Sequence, residues 1–304
     1  VNCDGRLGWS HPFRLPQMLD AFQYTDIKIE ALRNANLYDD SNPVAGSRRY
    51  FALKNGPDGQ PINTDWNDYA YRTGFSHNHA ISLSGSNEST RYYFSAGYTE
   101  QEGMIQKNDF ARRNLLFNID SRLNKVINVG GKISFSNELN QASGSTGSLS
   151  GEAFSVAGLG RNVLVASPNV SPYNNDGSYN VGGQYIGVGG NVGIPQVGFF
   201  NIVPIMDLNR SNSENNHIQG NVFLQLKPLE WLTLRSLYGV DNIHIDNDLF
   251  WNPIHGDGQS FGGYATASYG KYKTWLWSNT AQADYRFGGQ HRASLLVGNE
   301  QQRR

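Results

Sequence analysis

The sequence predicts an all-β protein, an antiparallel up-and-down transmembrane β-barrel that is present as a fragment of about eight strands with long loops. Three observations predict this fold class. Apolar and polar residues alternate with a period of two, the polar positions are mostly Asn, Ser, Gln and Gly, and short connections alternate with long ones. The alternation alone leaves a soluble antiparallel sheet as the second interpretation.

The first four predicted strands lie between residues 75 and 135, and each follows its neighbour at once. One face of each strand is largely apolar. Its residues are Ile81 and Leu83; Tyr92, Phe94, Ala96 and Tyr98; Arg113, Leu115, Phe117 and Ile119; and Ile127, Val129, Ile133 and Phe135. A membrane barrel requires this arrangement, because its apolar face contacts lipid while its polar face lines the lumen.

Four more predicted strands repeat the pattern. They are residues 217–227, 231–241, 274–286 and 293–297. The first two flank a proline turn at residues 228–230, and the last two flank Gly288 and Gly289. Trp275 and Tyr285 share a face ten residues apart, which corresponds to roughly 25 Å along the membrane normal in a tilted strand. They are predicted to mark two aromatic girdles.

The lengths of the connections indicate which end of the predicted barrel faces the outside of the cell. Connections at 85–90, 121–125, 228–230 and 288–290 are short, whereas those at 99–109, 137–216 and 245–273 are long. Outer-membrane barrels have short periplasmic turns and long external loops. We therefore expect residues 1–75 to form a first extracellular loop region with short helices, and residues 76–304 to form the early part of the barrel.

The first of these ranges is predicted in three parts. Residues 5–16 contain glycines and prolines and are expected to be irregular, and residues 15–36 have helical periodicity. A second, short helix is expected to start after Thr64 or Asp65 as its N-cap and to end near Tyr71.

Composition excludes several classes of protein. The formal net charge of −1 gives no electrostatic case for nucleic acid, and the single Cys3 excludes a disulfide scaffold within the chain. No apolar run is long enough for a helical membrane span. The chain carries no catalytic constellation, so we expect neither an enzyme nor a cofactor. Because no signal peptide opens it, we expect a fragment of a longer polypeptide.

Two groups of residues are candidates for ligand contact. His244, Asp246 and Asp248 would share one face of an extended strand, which is a weak signal for a cation site against the simpler interpretation of a solvated loop base. The long loops contain aromatic residues among Asn, Asp and Gly, namely Tyr173, Tyr179, Tyr185, Phe250, Trp251 and Tyr264. Such residues stack on sugar rings or clasp peptides, although packing of the loops or contact with a partner would explain them equally well.

Several motifs, in their order and spacing, resemble the SusC/RagA-type TonB-linked outer-membrane transporters. These are Thr64-Asp65-Trp66, Arg72-Thr73-Gly74-Phe75, Tyr92-Tyr93-Phe94-Ser95, Gly97-Tyr98, Gln101-Glu102-Gly103, Asp176-Gly177-Ser178-Tyr179, Tyr238-Gly239-Val240 and Gly298-Asn299-Glu300. The resemblance extends over most of the chain and departs in the long loops.

The resemblance implies a 22-stranded barrel in the outer membrane of a Gram-negative bacterium, closed by an N-terminal plug. It implies energy from the TonB–ExbB–ExbD complex of the inner membrane, a SusD-like surface lipoprotein as lid, and import of oligosaccharides or oligopeptides. On this interpretation the chain is the early barrel without the plug. A structural or adhesive outer-membrane barrel and a soluble β-rich carbohydrate-binding protein are the alternatives.

Overall fold

A computed structural model describes residues 1–38, 53–142, 159–187, 199–289 and 291–304. Its main feature is an antiparallel sheet of nine described strands that follow one another in chain order. These strands are β1 (Asn2–Ser10), β2 (Gly74–Ser86), β3 (Thr90–Glu102), β4 (Asp109–Arg122), β5 (Ile127–Ala142), β8 (Arg210–Leu229), β9 (Leu232–Trp251), β10 (Tyr264–Phe287) and β11 (His291–Arg303). The arc is open, with β1 and β11 at its edges.

The remaining elements lie in the connections. They are helices α1 (Ala21–Asn34), α2 (Trp66–Ala70), α3 (Leu159–Val165) and α4 (Ile202–Leu208), the short strands β6 (Val181–Gly182) and β7 (Tyr185–Ile186), and a 3₁₀ helix at Gly256–Phe261. Among the described residues, no helix has the length and apolar character that crossing a membrane requires.

The register of the sheet joins the predicted apolar faces into one continuous surface. Residues directly opposite each other in an antiparallel pair share a face. Apolar partners therefore follow one another across the strands: Phe94 with Phe117, Phe117 with Ile133, Val222 with Tyr238, Leu234 with Ala281, and Ala281 with Val297. The predicted all-β antiparallel fold and its separation into two faces are confirmed. We call these surfaces the apolar face and the polar face.

Aromatic rings meet on the apolar face near both of its ends. Tyr238 stacks on Trp275 with ring centroids 6.3 Å apart, and Trp231 meets Tyr285 edge to face at 6.4 Å. Trp275 and Tyr285 lie on the single strand β10. Between them, large apolar side chains such as Leu234 are exposed, in this case by 36%. A band of exposed apolar side chains between two aromatic rows is the surface that a lipid bilayer covers.

The connections are sorted by length between the two ends of the sheet, as predicted. Residues 87–89, 123–126, 230–231 and 288–290 connect strands at one end, the short-turn end. Residues 11–73, 103–108, 143–209 and 252–263 connect them at the other, the long-loop end. Two of the short turns are closed by asparagine side chains. Asn87 Oδ1 accepts from the backbone of Ser89 and Thr90, and Asn124 Oδ1 accepts from Val126 and Ile127.

The strands extend farther at the long-loop end than the sequence predicted. The loop expected at 245–273 shrinks to 252–263, and the one expected at 99–109 shrinks to 103–108. The extensions carry Asn, Ser and Asp on both faces, as at Asn247 and Asp248. The hydrogen bonds between these strands do not depend on lipid. The strands therefore continue although the period-two pattern of hydrophobicity disappears.

Three local predictions have different outcomes. The irregular segment expected at residues 5–16 is wrong for its first half, since Asn2–Ser10 pairs along its whole length with β2. Its sequence contains two glycines and only Leu7 and Trp9 as large apolar residues, so the alternation was too weak to recognise. The helix expected within 15–36 is confirmed as α1, and Asp65 caps α2 by accepting from the backbone of Asn67. The division of the chain at residue 75 stays a prediction, with β1 now inside its first part.

The proline turn also sits differently from the prediction. Strand β8 continues through Leu229, with an irregularity in register between Leu226 and Leu229, and the turn is residues 230–231. Pro228 lies within this irregularity, where the ladder requires no N–H donor.

The two faces should respond in opposite ways to a buried charge. Leu234→Arg places a guanidinium on the apolar face and should cost roughly 2–4 kcal/mol of unfolding free energy in a bilayer. Thr233→Arg, its neighbour on the polar face of the same strand, should cost far less because water solvates that face. Val222→Arg and Gln219→Arg form a second matched pair. Reversible folding of the full-length protein into phospholipid vesicles measures the loss of unfolding free energy in each pair. Equal losses on the two faces would contradict the assignment of one face to lipid and the other to water.

Candidate functional site

The long connections build a compact structure at the long-loop end of the sheet. We define this loop cap as α2, α3, α4, residues 166–187, residues 199–201 and residues 252–263. Its apolar core consists of Trp66, Ala70, Leu159, Val163, Ala166, Val170, Ile186, Phe199, Phe200, Ile202, Val203, Ile205 and Met206, all of them buried. The core explains why short helices form here, because each of them buries one side against the others.

Buried asparagines connect the irregular segments of the cap. Asn201 Nδ2 donates to the carbonyls of Pro172 and Asn180 at 2.7 and 3.1 Å, and Asn180 Nδ2 donates to the carbonyl of Ser171 at 2.8 Å. Asn252 Oδ1 accepts from the backbone of His255 at 2.9 Å. Loop backbone that lacks a ladder needs such partners when it is buried. The cap is therefore held by polar side chains as well as by its apolar core.

His255 links three of these segments. Its side chain is fully buried, its Nε2 accepts from the backbone N–H of Asn201 at 2.8 Å, and its Nδ1 lies 3.3 Å from the carbonyl of Gly183. These partners require a neutral ring with its hydrogen on Nδ1. Burial lowers the pKa of His255 to about 4, and the Gly183 carbonyl opposes this shift because it accepts from the ring.

Three of the predicted aromatic residues lie in the cap. Tyr173 and Tyr179 stack with centroids 5.9 Å apart, and the Tyr179 hydroxyl donates to Asp207 Oδ2 at 3.0 Å. Partial burial and this hydrogen bond raise the pKa of Tyr179. Tyr185 stacks on the buried Phe200 at 5.9 Å and is itself 44% exposed. Each of these side chains packs within the cap and also presents surface to solvent.

The other three aromatic residues are in strands, which corrects their assignment to a loop. Trp251 ends β9 and Tyr264 begins β10, and the two are opposite each other with ring centroids 5.0 Å apart. Phe250 is opposite Ala265, on the other face of the same pair of strands. Trp251 and Tyr264 share the polar face, whereas Phe250 does not, so the structure separates one of the three from the others.

Tyr264 borders a pocket of about 600 Å³ that we call the mouth pocket. It lies at the long-loop end of the sheet, mainly on strands β5, β8, β9 and β10. The lining residues are Asn108, Asn140, Gln141, Ala142, Ser211, Asn212, Ser213, Asn247, Asp248, Leu249, Tyr264, Thr266 and Ser268. A pocket of this volume has the size of ordinary ligand sites.

Register places four of these side chains in one row on the polar face. Asn140 is opposite Ser213, Ser213 is opposite Asn247, and Asn247 is opposite Ser268. Apart from Tyr264 and the cation candidate Asp248, the sequence did not single out the lining of the mouth pocket. No local motif joins residues 128 positions apart, and only the strand pairing brings them together. The feature of the sequence that could have indicated this pocket was the polar composition of its segments, which were assigned to loops.

The weak cation candidate lies in β9 instead of at a loop base. His244, Asp246 and Asp248 alternate along the strand, and His244 Nε2 is 3.5 Å from Asp246 Oδ1. Within the described residues, no three His, Cys, Asp or Glu side chains are grouped closely enough to hold a metal ion. The three residues therefore remain a sequence prediction without geometric support.

No family model matches the chain. The chain is 27% identical over 248 residues to the TonB-dependent receptor P26 of Formosa agariphila, a match that covers 80% of this chain and 22% of the relative. A shorter match is 38% identical over 50 residues to the TonB-dependent receptor SusC of Bacteroides thetaiotaomicron, covering 16% of this chain and 5% of that protein.

Among solved structures, the RagAB peptide importer in its closed-closed state is similar to the chain. The TM-score is 0.64 at 20% identity, and the superposition covers 98% of this chain and 34% of that one. These findings confirm the resemblance to SusC/RagA-type TonB-linked transporters, with the chain as a segment of their barrel. The chain spans only 22% and 23% of two curated relatives that it matches over 248 residues.

The neutral His255 should make the cap sensitive to acid. Its folded-state pKa of about 4 is below the ordinary value of 6.5, so an unfolded cap binds a proton in this interval while the folded cap does not. Stability of the cap should therefore be complete above pH 6.5 and fall by about 3 kcal/mol as the pH decreases to 4. Hydrogen exchange in Ile202–Leu208, corrected for the intrinsic rate at each pH, measures this loss.

His255→Gln is the matched control for the acid effect. An amide can accept from Asn201 and donate to Gly183, yet it does not titrate in this range. The variant should lose the pH dependence of exchange in this helix. If wild type and variant respond equally to acid, another group is responsible.

Proposed function

We propose, from the similarity of this chain to TonB-dependent receptors, that it forms the early barrel of an active outer-membrane nutrient importer. The observation that carries this proposal is the nine-strand register, which keeps one apolar face continuous between two aromatic rows. Such a face fits the hydrocarbon region of a bilayer, and the opposite polar face fits the wall of an aqueous lumen.

The proposal assigns the long-loop end to the outside of the cell. Barrels of this class have short periplasmic turns, and the turns at the short-turn end contain two to four residues. The loop cap and the mouth pocket are then the first parts of this chain that an external nutrient meets. Ligand contact is accordingly proposed there, at Tyr173, Tyr179 and Tyr185 in the cap and at Trp251 and Tyr264 in the strands. Phe250, on the other face, is no longer proposed.

The proposed partners follow from the resemblance to SusC/RagA-type transporters. A SusD-like surface lipoprotein would cover the long-loop end, and the TonB–ExbB–ExbD complex would supply energy through a part of the polypeptide outside this sequence. One solved structure that aligns with 98% of the chain is that of the RagAB peptide importer. This supports an assembly of two proteins.

Oligosaccharides are the first proposed substrate class and oligopeptides the second. The exposed aromatic rings beside amide and hydroxyl groups support the first. The similarity to the RagAB peptide importer supports the second.

Deletion of the full-length gene tests the transport function. The deletion strain should lose uptake of an oligosaccharide or peptide that the parent strain takes up, and the uptake in the parent should require TonB. Membrane fractionation provides the second arm, because the protein should require detergent for extraction. Uptake that is unchanged across both nutrient classes, or a product that fractionates with the periplasm, would overturn the proposal in favour of an adhesive barrel or a soluble binding protein.

Exchange of two segments tests where specificity is located. Residues 137–216 and 245–273 contain all cap segments except α2, the extensions of β5, β8, β9 and β10, and most of the mouth pocket. A chimera that takes both segments from a relative with a different nutrient should acquire the nutrient of that relative, as measured by uptake of labelled substrates. Exchange of the short turns 87–89 and 123–126 is the control and should change nothing. A folded chimera that keeps its original nutrient would place specificity elsewhere.

A further inference from the structure

We propose that the mouth pocket is a binding subsite for an uncharged oligosaccharide. The inference rests on the proposed function and makes it more specific, since it chooses one of the two nutrient classes and excludes acidic sugars. It also moves the site from the loops to the strand extensions.

The first argument is the row of neutral hydrogen-bonding groups. Asn140, Ser213, Asn247 and Ser268 occupy four neighbouring strands at one level of the polar face. With neighbouring strands about 4.8 Å apart, the row is about 14 Å long. Each amide both donates and accepts, and each hydroxyl does the same, which matches the hydroxyl groups of a sugar chain. A ligand lying across the strands would meet one such group per strand.

The second argument is the aromatic ring at one end of the row. Tyr264 borders the pocket and is 42% exposed, and Trp251 lies directly opposite with its ring centroid 5.0 Å away. The indole packs against Tyr264 and limits its rotation. A fixed and exposed ring offers its face to the C–H groups of a pyranose, while the polar row addresses the hydroxyl groups.

The third argument is charge. The lining contains no Lys, Arg or His among the described residues, and the side chain of its one carboxylate residue, Asp248, alternates to the opposite face of β9. A uronate or sulfated glycan would meet no cation here, and the terminal carboxylate of a peptide would also be unpaired. Cations are absent from this pocket but not from the polar face in general. A second pocket of about 400 Å³, farther from the long-loop end, contains both Lys132 and Asp241.

Calorimetric titration of the purified full-length protein tests the subsite. The probes are neutral hexasaccharides of glucose, mannose and xylose, hexamers of galacturonate and alginate, and a set of hexapeptides. At least one neutral hexasaccharide should bind. Tyr264→Ala should weaken its binding about fivefold or more, whereas Tyr264→Phe should retain it. Tyr269→Ala is the matched control, because Tyr269 lies on the opposite face of the same strand and is 74% exposed.

Each outcome is decisive. Weaker binding in Tyr264→Ala, with normal binding in Tyr264→Phe and Tyr269→Ala, supports the subsite, and outer-membrane insertion of each variant excludes misfolding. Equal effects of the two alanine variants overturn it, as does binding restricted to uronates or peptides, or to none of the probes. If peptides bind and TonB-dependent uptake of peptides is lost in the deletion strain, the proposed transport function stands and only the carbohydrate assignment fails.

Discussion

The unbroken backbone ladder from β1 to β11 is the constraint on which the rest of the structure depends. Within lipid, every N–H and C=O group needs a partner in the protein, and a sheet provides it only through its neighbouring strands. Because side chains alternate, a shift of one residue in any pair would move apolar residues such as Leu115 to the polar face. The register avoids this in all eight pairings, so that Phe135 remains level with Ile218 although 67 connecting residues (143–209) separate their strands.

The same ladder forms the mouth pocket where it leaves the apolar band. Above Trp275 the strands continue for about ten residues, but their side chains change from apolar and polar in alternation to mostly polar. The register that aligned Leu234 with Ala281 in the band now aligns Asn247 with Ser268 in the mouth pocket. The loop cap is stabilised differently. The side chains of Asn201, Asn252 and His255 form hydrogen bonds with the loop backbone around an apolar core. The strand extensions thus line the mouth pocket, while the cap is held by its own apolar core and buried polar side chains.

The parts of the fold that could be predicted from the sequence are the strands with one apolar and one polar face, because two different environments produce a period of two. Apolar residues such as Phe94 and Leu234 recur at every second position on one face, so the apolar strands, their order and the sorting of connections could be predicted from pattern alone. The pattern fails where both faces are solvated. Strand β1, with Gly5 and Gly8, and the extensions up to Trp251 were assigned to loops for this reason. The candidate site was predicted only through its aromatic rings, because the row from Asn140 to Ser268 exists through long-range pairing.

Accessibility along β10 shows whether one face of this sheet contacts lipid. In full-length protein with Cys3→Ser, single cysteines at each position of 275–285 would carry a spin label, and collisions with oxygen and with a water-soluble nickel chelate would be measured in bilayers. We expect accessibility to alternate with a period of two, with odd positions accessible to oxygen and even positions accessible to the chelate. Equal accessibility at odd and even positions, or preference of the odd positions for the chelate, would contradict it.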